Sequence, residues 1–230
     1  MAFMASKIAL ERMTPVILLT DGFIANGSQP WRIPSMKDYP EIHPPIAKPH
    51  PDGERFLPYK RNENYAREWA FPGTLGLSHR IGGLEKDSLK GSVSHDPQNH
   101  QLMTELRAKK VATVQNMIPK QTLLGDGTGD ILLISWGGTF GHTSSAVEQL
   151  RAKGKKVSLC HISYINPLPV NLAELFKGFK KLIVAELNMG QMANYLRMEL
   201  PEFEYLQYNK VMGQPFTVHE LVEHIEAKLK

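Results

Sequence analysis

The chain has 230 residues, 42% hydrophobic and 22% charged, an ordinary globular balance with material for one large domain or two smaller ones. Its 27 Lys and Arg against 23 Asp and Glu leave a formal charge of only +4, dispersed apart from short clusters such as Lys109-Lys110, which argues against a nucleic-acid groove. The one cysteine, Cys160, excludes an intramolecular disulfide, a cysteine-based zinc site and an iron–sulfur cluster held by this chain alone, and fits a reducing compartment. No apolar run approaches the roughly 20 residues needed to cross a bilayer. No charged-then-apolar leader opens the chain, so a soluble cytoplasmic protein is expected, with neither nucleic acid nor membrane as partner.

In chain order, residues 2–13 predict an amphipathic helix, with Met4 and Ile8 on one face and Lys7 and Glu11 four apart on another. Thr14-Pro15 ends it, and the apolar, β-branched run PVILLT predicts a buried strand over residues 15–20. A helix and a strand with nothing before them resemble the tail of a domain, short of neighbours and in need of cover from the second domain or another copy. From residue 35 to about residue 118 proline and turn residues dominate, Pro44-Pro45 among them, and only residues 103–117 predict a helix. A connector of this length is usually functional or wrapped on a partner. Residues 129–230 then alternate strands and helices, which implies parallel pairing. The closing helix is the best marked: Thr217 and Glu220 have capping-box spacing, and Val218, Leu221, Val222, Ile225 and Leu229 form one apolar stripe.

Four motifs invite a functional reading. The glycine-rich turn GGTFGHT, with Gly137, Gly138 and Gly141, opens a helix after the first strand of the regular region, where backbone N–H groups can hold a phosphate. Its spacing is not G-x-G-x-x-G and no acid closes the second strand, so glycines serving a tight turn are the favoured reading. The GDG of residues 125–127 precedes a strand rather than ending one, and the stretch where a metal-binding Asn should follow is AKGKK, so it is not read as a diphosphate motif. The nine histidines lack metal-site spacing: His219 and His224, five apart, point to different faces of their helix. Cys160 falls within a predicted buried strand, as an inert thiol. Last, TDGFIANGSQPWRIP follows PVILL where ligands gather in α/β folds, beyond a strand's carboxyl end. Asp21 there could meet a ligand or simply form a turn with Gly22.

Several segments, in colinear order and covering essentially the whole chain, resemble the alpha subunit of 2-oxoacid:ferredoxin oxidoreductases, best of all the 2-oxoglutarate type. AFMASKIALERMTPVILLTDGFIANGSQPWRIP resembles the end of its pyrimidine-binding domain. FPGTLGLSHRIGGLEKD and DPQNHQLMTELRAKKV resemble the segment after it, and GDILLISWGGTFGHTSSAVEQLRAKGKKVSLCHISYINPLP its transketolase C-terminal-like domain. Lys86 stands where that family is expected to have His after Gly-Leu-Glu, which leaves open what the turn does.

The resemblance implies a three-part chain: a pyrimidine-domain tail over 1–34, an extended connector with one helix over 35–128, and an α/β domain with a mostly parallel, helix-flanked sheet over 129–230. It implies an enzyme that decarboxylates a 2-oxoacid on thiamine diphosphate, with magnesium, an iron–sulfur cluster and coenzyme A in the full complex. The thiamine-binding beta subunit and ferredoxin are the implied partners, and a homo-oligomer is compatible. No catalytic, cofactor or metal residue of that chemistry is placed in this chain, whose missing motifs would lie upstream, and a structural, subunit-docking part inactive alone is expected. Residues expected to face the cleft or a partner are Asp21, Asn26, Arg32, Arg80, Glu85, Asp96, Asn99, His100 and Arg107, with salt bridges and backbone hydrogen bonds within the connector as the plainer role for the last six. The alternative is a free-standing α/β module that holds a small phosphorylated ligand at residues 137–141.

Overall fold

The computed structural model describes every residue except Pro51 and Lys230. Its helices are α1 (Ala2–Arg12), α2 (Gly22–Asn26), α3 (Pro97–Thr113), α4 (Phe140–Ala152), α5 (Leu172–Phe176), α6 (Gln191–Glu199) and α7 (Val218–Lys228). Its strands are β1 (Gly129–Trp136), β2 (Val157–Ile162), β3 (Phe179–Glu186) and β4 (Tyr205–Asn209). The chain divides into two compact units, one of Met1–Leu18 with Gln29–Ile118, the other of Leu19–Ser28 with Pro119–Lys230.

The second unit is built on one parallel sheet in the order β2-β1-β3-β4. In β1 alternate residues serve opposite faces. Ile131 and Leu133 pack with Ala146, Val147 and Leu150 of α4 and Leu221, Val222 and Ile225 of α7. Leu132 and Ile134 pack with Leu172 and Phe176 of α5 and Met192, Ala193 and Leu196 of α6. Burial on both faces explains why β1 reads as an unbroken apolar run rather than an alternation. α4 stops at Gly154, whose φ of +76° a side chain would oppose, while the Gly154 N–H donates to Arg151 O at 2.8 Å. α7 starts at Thr217, whose hydroxyl accepts from Glu220 N at 3.2 Å. The α/β class expected for residues 129–230, a mostly parallel sheet flanked by helices, is the observed one.

The other unit has little regular structure besides α1 and α3. One small apolar cluster in it is Ala47, Phe56 and Leu77, with Ala70 against it, and Ile8, Ala66, Met103, Val114 and Ile118 are buried as well. α1 buries Ile8, and its Lys7–Glu11 pair forms as the spacing predicts. The connector covers α1: Trp69 Nε1 donates to Leu10 O at 2.8 Å, His43 N to Glu11 Oε1 at 2.8 Å, and the rings of Phe3 and Tyr39 stack 4.4 Å apart. The helix expected to lack neighbours therefore finds them in the connector that follows it.

Two local expectations fail. Residues 15–20 form no strand and are exposed, Ile17 at 82% and Leu19 at 63%. A strand needs a paired neighbour, and no described segment supplies one. The connector helix runs Pro97–Thr113, with a short 3-10 turn Val114–Asn116 after it, and so starts six residues before the expected 103. Asp96 and Pro97 set that start, Asp96 accepting from Gln98 N and Asn99 N and Pro97 occupying the first turn, where its missing N–H costs nothing.

Candidate functional site

In the sheet, the chain leaves β1 to one side for β2 and returns on the other side as β3, so the strand order reverses between β1 and β3. In α/β sheets ligands gather beyond the carboxyl ends of strands at such a point. Here that place holds Trp136, the turn Gly137–Thr139 and the end of β3.

The opening loop and the glycine-rich turn, separate motifs in the sequence, meet here. Asp21 caps α2 through Oδ1, which accepts from Ile24 N at 2.9 Å, and its Oδ2 accepts from Gly138 N at 3.0 Å. A Cβ at position 138 would fall 2.0 Å from that oxygen, so the approach requires glycine. A carboxylate of the chain thus sits on an N–H that a phosphate would use. One donor of the turn is thus occupied from within, which argues against a phosphorylated ligand at residues 137–141. Phe23 lies 6.2 Å from the His142 ring, and Asn26 Nδ2 returns to Gly22 O at 2.8 Å, closing α2 on itself.

Glu186, at the end of β3, is fully buried. Its Oε2 accepts from Met192 N at 2.7 Å and Trp136 Nε1 at 3.2 Å, and its Oε1 from Ala193 N at 2.9 Å. It therefore caps the first turn of α6 and ties β3 to the end of β1. Beside it Ser135 Oγ lies 2.8 Å from His161 Nδ1 and 3.2 Å from Thr143 Oγ1, and burial lowers the His161 pKa. Ser135 has no exposed surface, so this Ser–His pair braces the strand ends and offers no nucleophile to a substrate. Cys160 is buried and its thiol is pushed up to about 12 by desolvation, an inert core group. Asp126 of the GDG pairs with Arg151 at 3.0 Å, ahead of β1.

Taken by itself, the first unit places most of the predicted polar connector residues in one local framework. Asn99 is buried, accepting from Ser88 N at 3.0 Å and donating to Lys86 O at 2.9 Å. Asp96 caps α3, and His100 pairs with Glu85. Lys86, only 3% exposed, gives its ammonium to the carbonyls of Gly82, Gly83 and Leu84, so all three donors close the GGLEK turn. Arg107 is exposed on α3, and its guanidinium donates to Thr104 Oγ1 at 3.1 Å. Arg32 and Arg80 are exposed, and no hydrogen bond or ion pair among the described residues holds either.

Around that framework lies a cavity of about 310 Å³ lined by Tyr59, Arg61, Arg67, Arg107 and Lys110, with Lys86 and Glu85 in its wall. Arg67 stacks on Tyr59 with Cζ 4.3 Å from the ring centroid. Arg61 donates to the carbonyls of Tyr59 at 3.0 Å and Ser88 at 3.2 Å, and Lys110 Nζ to Met13 O at 2.8 Å. Burial pulls the Lys110 pKa down to about 8, helped by Arg67, Arg61 and Arg107, and burial with Arg67 lowers that of Arg61. Arg61, Arg67 and Lys110 escaped the sequence reading. Arg107 and Lys110, three apart, were legible as one helix face, but the pairing of Arg61 with Arg67 across an isolated antiparallel bridge left no local signal.

Among the described residues no three His, Cys, Asp or Glu side chains converge as a metal site. One buried cysteine cannot hold an iron–sulfur cluster, and an Asp126 engaged by Arg151 does not fit a magnesium–diphosphate site, so neither group fits the donors of this chain. No described helix is long and apolar enough to cross a membrane.

Residues 129–221 match the family described as pyruvate:ferredoxin oxidoreductase core domain II. Over 99% of its length the chain is 43% identical to the 2-oxoglutarate oxidoreductase subunit KorA of Mycobacterium tuberculosis, of which it covers 34%. It is 26% identical over 82% of its length to the 2-oxoglutarate synthase subunit KorA of Methanothermobacter marburgensis, covering 49% of that protein. Among solved structures it is similar to the 2-oxoglutarate:ferredoxin oxidoreductase from Magnetococcus marinus with 2-oxoglutarate, coenzyme A and succinyl-CoA bound. The TM-score is 0.88 and the identity 29%, across 97% of this chain and 39% of that one. Over nearly its whole length the chain is thus similar to subunits of 2-oxoacid:ferredoxin oxidoreductases, and it spans between a third and a half of the length of these relatives.

Proposed function

We propose that this chain serves as a scaffold and subunit-docking part of a 2-oxoacid:ferredoxin oxidoreductase, with 2-oxoglutarate as the oxoacid. The 43% identity to a 2-oxoglutarate oxidoreductase subunit across nearly the whole chain carries this reading. In the complete complex, thiamine diphosphate with magnesium would supply the decarboxylation chemistry. An iron–sulfur cluster would pass electrons to ferredoxin, and coenzyme A would accept the acyl group. Those groups belong to other parts of the complex, the thiamine-binding beta subunit among them. This chain contributes packed surfaces, since its sheet end is closed by Asp21 and Glu186 and presents no free acid–base pair.

The test is reconstitution of the chain with the remainder of an alpha subunit and a beta subunit, followed by assay of coenzyme A-dependent ferredoxin reduction. Activity with 2-oxoglutarate exceeding that with pyruvate, and none from the chain alone, is expected. Failure of the chain to join subunits that accept an intact alpha subunit would overturn the reading.

A further inference from the structure

The cavity in the first unit is an electrostatic oddity. Arg61, Arg67, Arg107 and Lys110 converge on it, and among the described residues none of them has a carboxylate within ion-pair distance. The one acid in the wall, Glu85, is engaged by His100 through Oε2. Lys86 adds a fifth positive charge, fixed by the three carbonyls it caps. Four cations drawn together without counterions repel one another, and burial raises that cost by lowering the local dielectric. Burial first, and then Arg67, Arg61 and Arg107, pull the Lys110 pKa down. Such an arrangement persists when something else offsets it.

From this clustering we infer that the cavity is a binding site for the phosphate groups of a small phosphorylated ligand. Guanidinium forks match phosphate oxygens bidentately, and Arg is the usual residue for that task. Arg61, Arg67 and Arg107 each carry five N–H donors, and the protein's own acceptors engage only a few of them. The positive excess calls for a multiply charged anion, which a di- or triphosphate provides and a single carboxylate does not. A volume of about 310 Å³ is that of a small-molecule pocket. The inference is independent of the family reading, because it rests on side chains of this unit alone.

Titration of the full chain with inorganic pyrophosphate tests it, with chloride and succinate at matched ionic strength as comparisons. Pyrophosphate is expected to bind the most tightly of the three and to raise the melting temperature. Loss of one charge-assisted contact removes about 1.5–3 kcal/mol, so R67Q and R107Q should each weaken pyrophosphate at least about tenfold. K109Q removes the same charge from the exposed neighbour of Lys110 and should leave binding unchanged. Arg107 is exposed and bonded only within its own helix, so R107Q keeps the fold even if R67Q, which loses the stack on Tyr59, does not. The inference is overturned if pyrophosphate does no more than chloride, if K109Q weakens it as much as R107Q, or if succinate binds more tightly. A chamber reserved for an acidic protein surface would give the first of these results.

Discussion

Glu186 holds three donors with one carboxylate, two from the first turn of α6 and one from the Trp136 indole. Removing it orphans two buried amide donors and the part-buried indole N–H, and each unsatisfied buried donor costs about 1–3 kcal/mol. E186A should therefore lose roughly 3 kcal/mol or more of stability, and E186Q clearly less, because one acceptor oxygen survives. Urea denaturation of the two variants checks the order. Asp21 is a complementary case, exposed but placed by a close contact. G138A would put a methyl group where its Oδ2 lies, so the 19–28 segment should be released and cut faster by protease, with the sheet unchanged by circular dichroism. Lys110 gives a pH signature. Its folded pKa of about 8 lies below the unfolded 10.5. The penalty for charging it is complete below about pH 8 and fades as pH rises toward 10.5, where the unfolded state binds the extra proton. K110M escapes the penalty at every pH, so its stability advantage over the parent should shrink between pH 7 and 9. The facing groups Arg61, Arg67, Arg107, Lys86, Glu85 and Tyr59 are common to both proteins. An advantage that stays constant with pH would show that Lys110 is not the titrating group.

Among elements, legibility followed the range of the forces involved. α7 was plain in the sequence because cap and stripe are both local: Thr217 accepts from Glu220 N, and Leu221, Val222 and Ile225 share one buried face. T217A should cost about 1 kcal/mol through the lost cap, measurable as a lower denaturation midpoint with unchanged slope. The strand expected at residues 15–20 fails for the opposite reason, since β structure depends on a neighbour that a local pattern cannot supply. The start of α3 was written in Asp96-Pro97 but hidden among turn residues of the same types. At the site, Asp21 was legible as a residue in the right place after an apolar run. Its acceptor role toward Gly138 was not, because the two lie 117 positions apart in sequence. The cation chamber was legible only in part, through Arg107; its other members come together by loop folding without a period to announce them.

Taken as a whole molecule, the two units are stabilised differently. The sheet unit has two continuous apolar layers, on either side of β1, that include Ile131, Leu133, Leu132 and Ile134 with no exposed surface. The other unit has a small cluster around Phe56 and Leu77, scattered buried side chains such as Ile8, Met103 and Val114, and side-chain bonds to backbone such as those of Lys86, Asn99 and Trp69. Burying a Leu or Ile side chain stabilises by about 1.5–3 kcal/mol, whereas one hydrogen bond nets about 1 kcal/mol. Local opening should therefore cost much more in the sheet than in the connector. Native-state hydrogen exchange on the full chain should find the slowest amides in β1 and β3. The bonds of Ala47, Asn62 and Tyr59 to backbone carbonyls should exchange orders of magnitude faster. Pyrophosphate, if it fills the chamber, should slow exchange around Arg61 and along α3 while leaving β1 and β3 as they were. Protection rising equally in both units would mean that the anion acts on the chain generally rather than at the four cations.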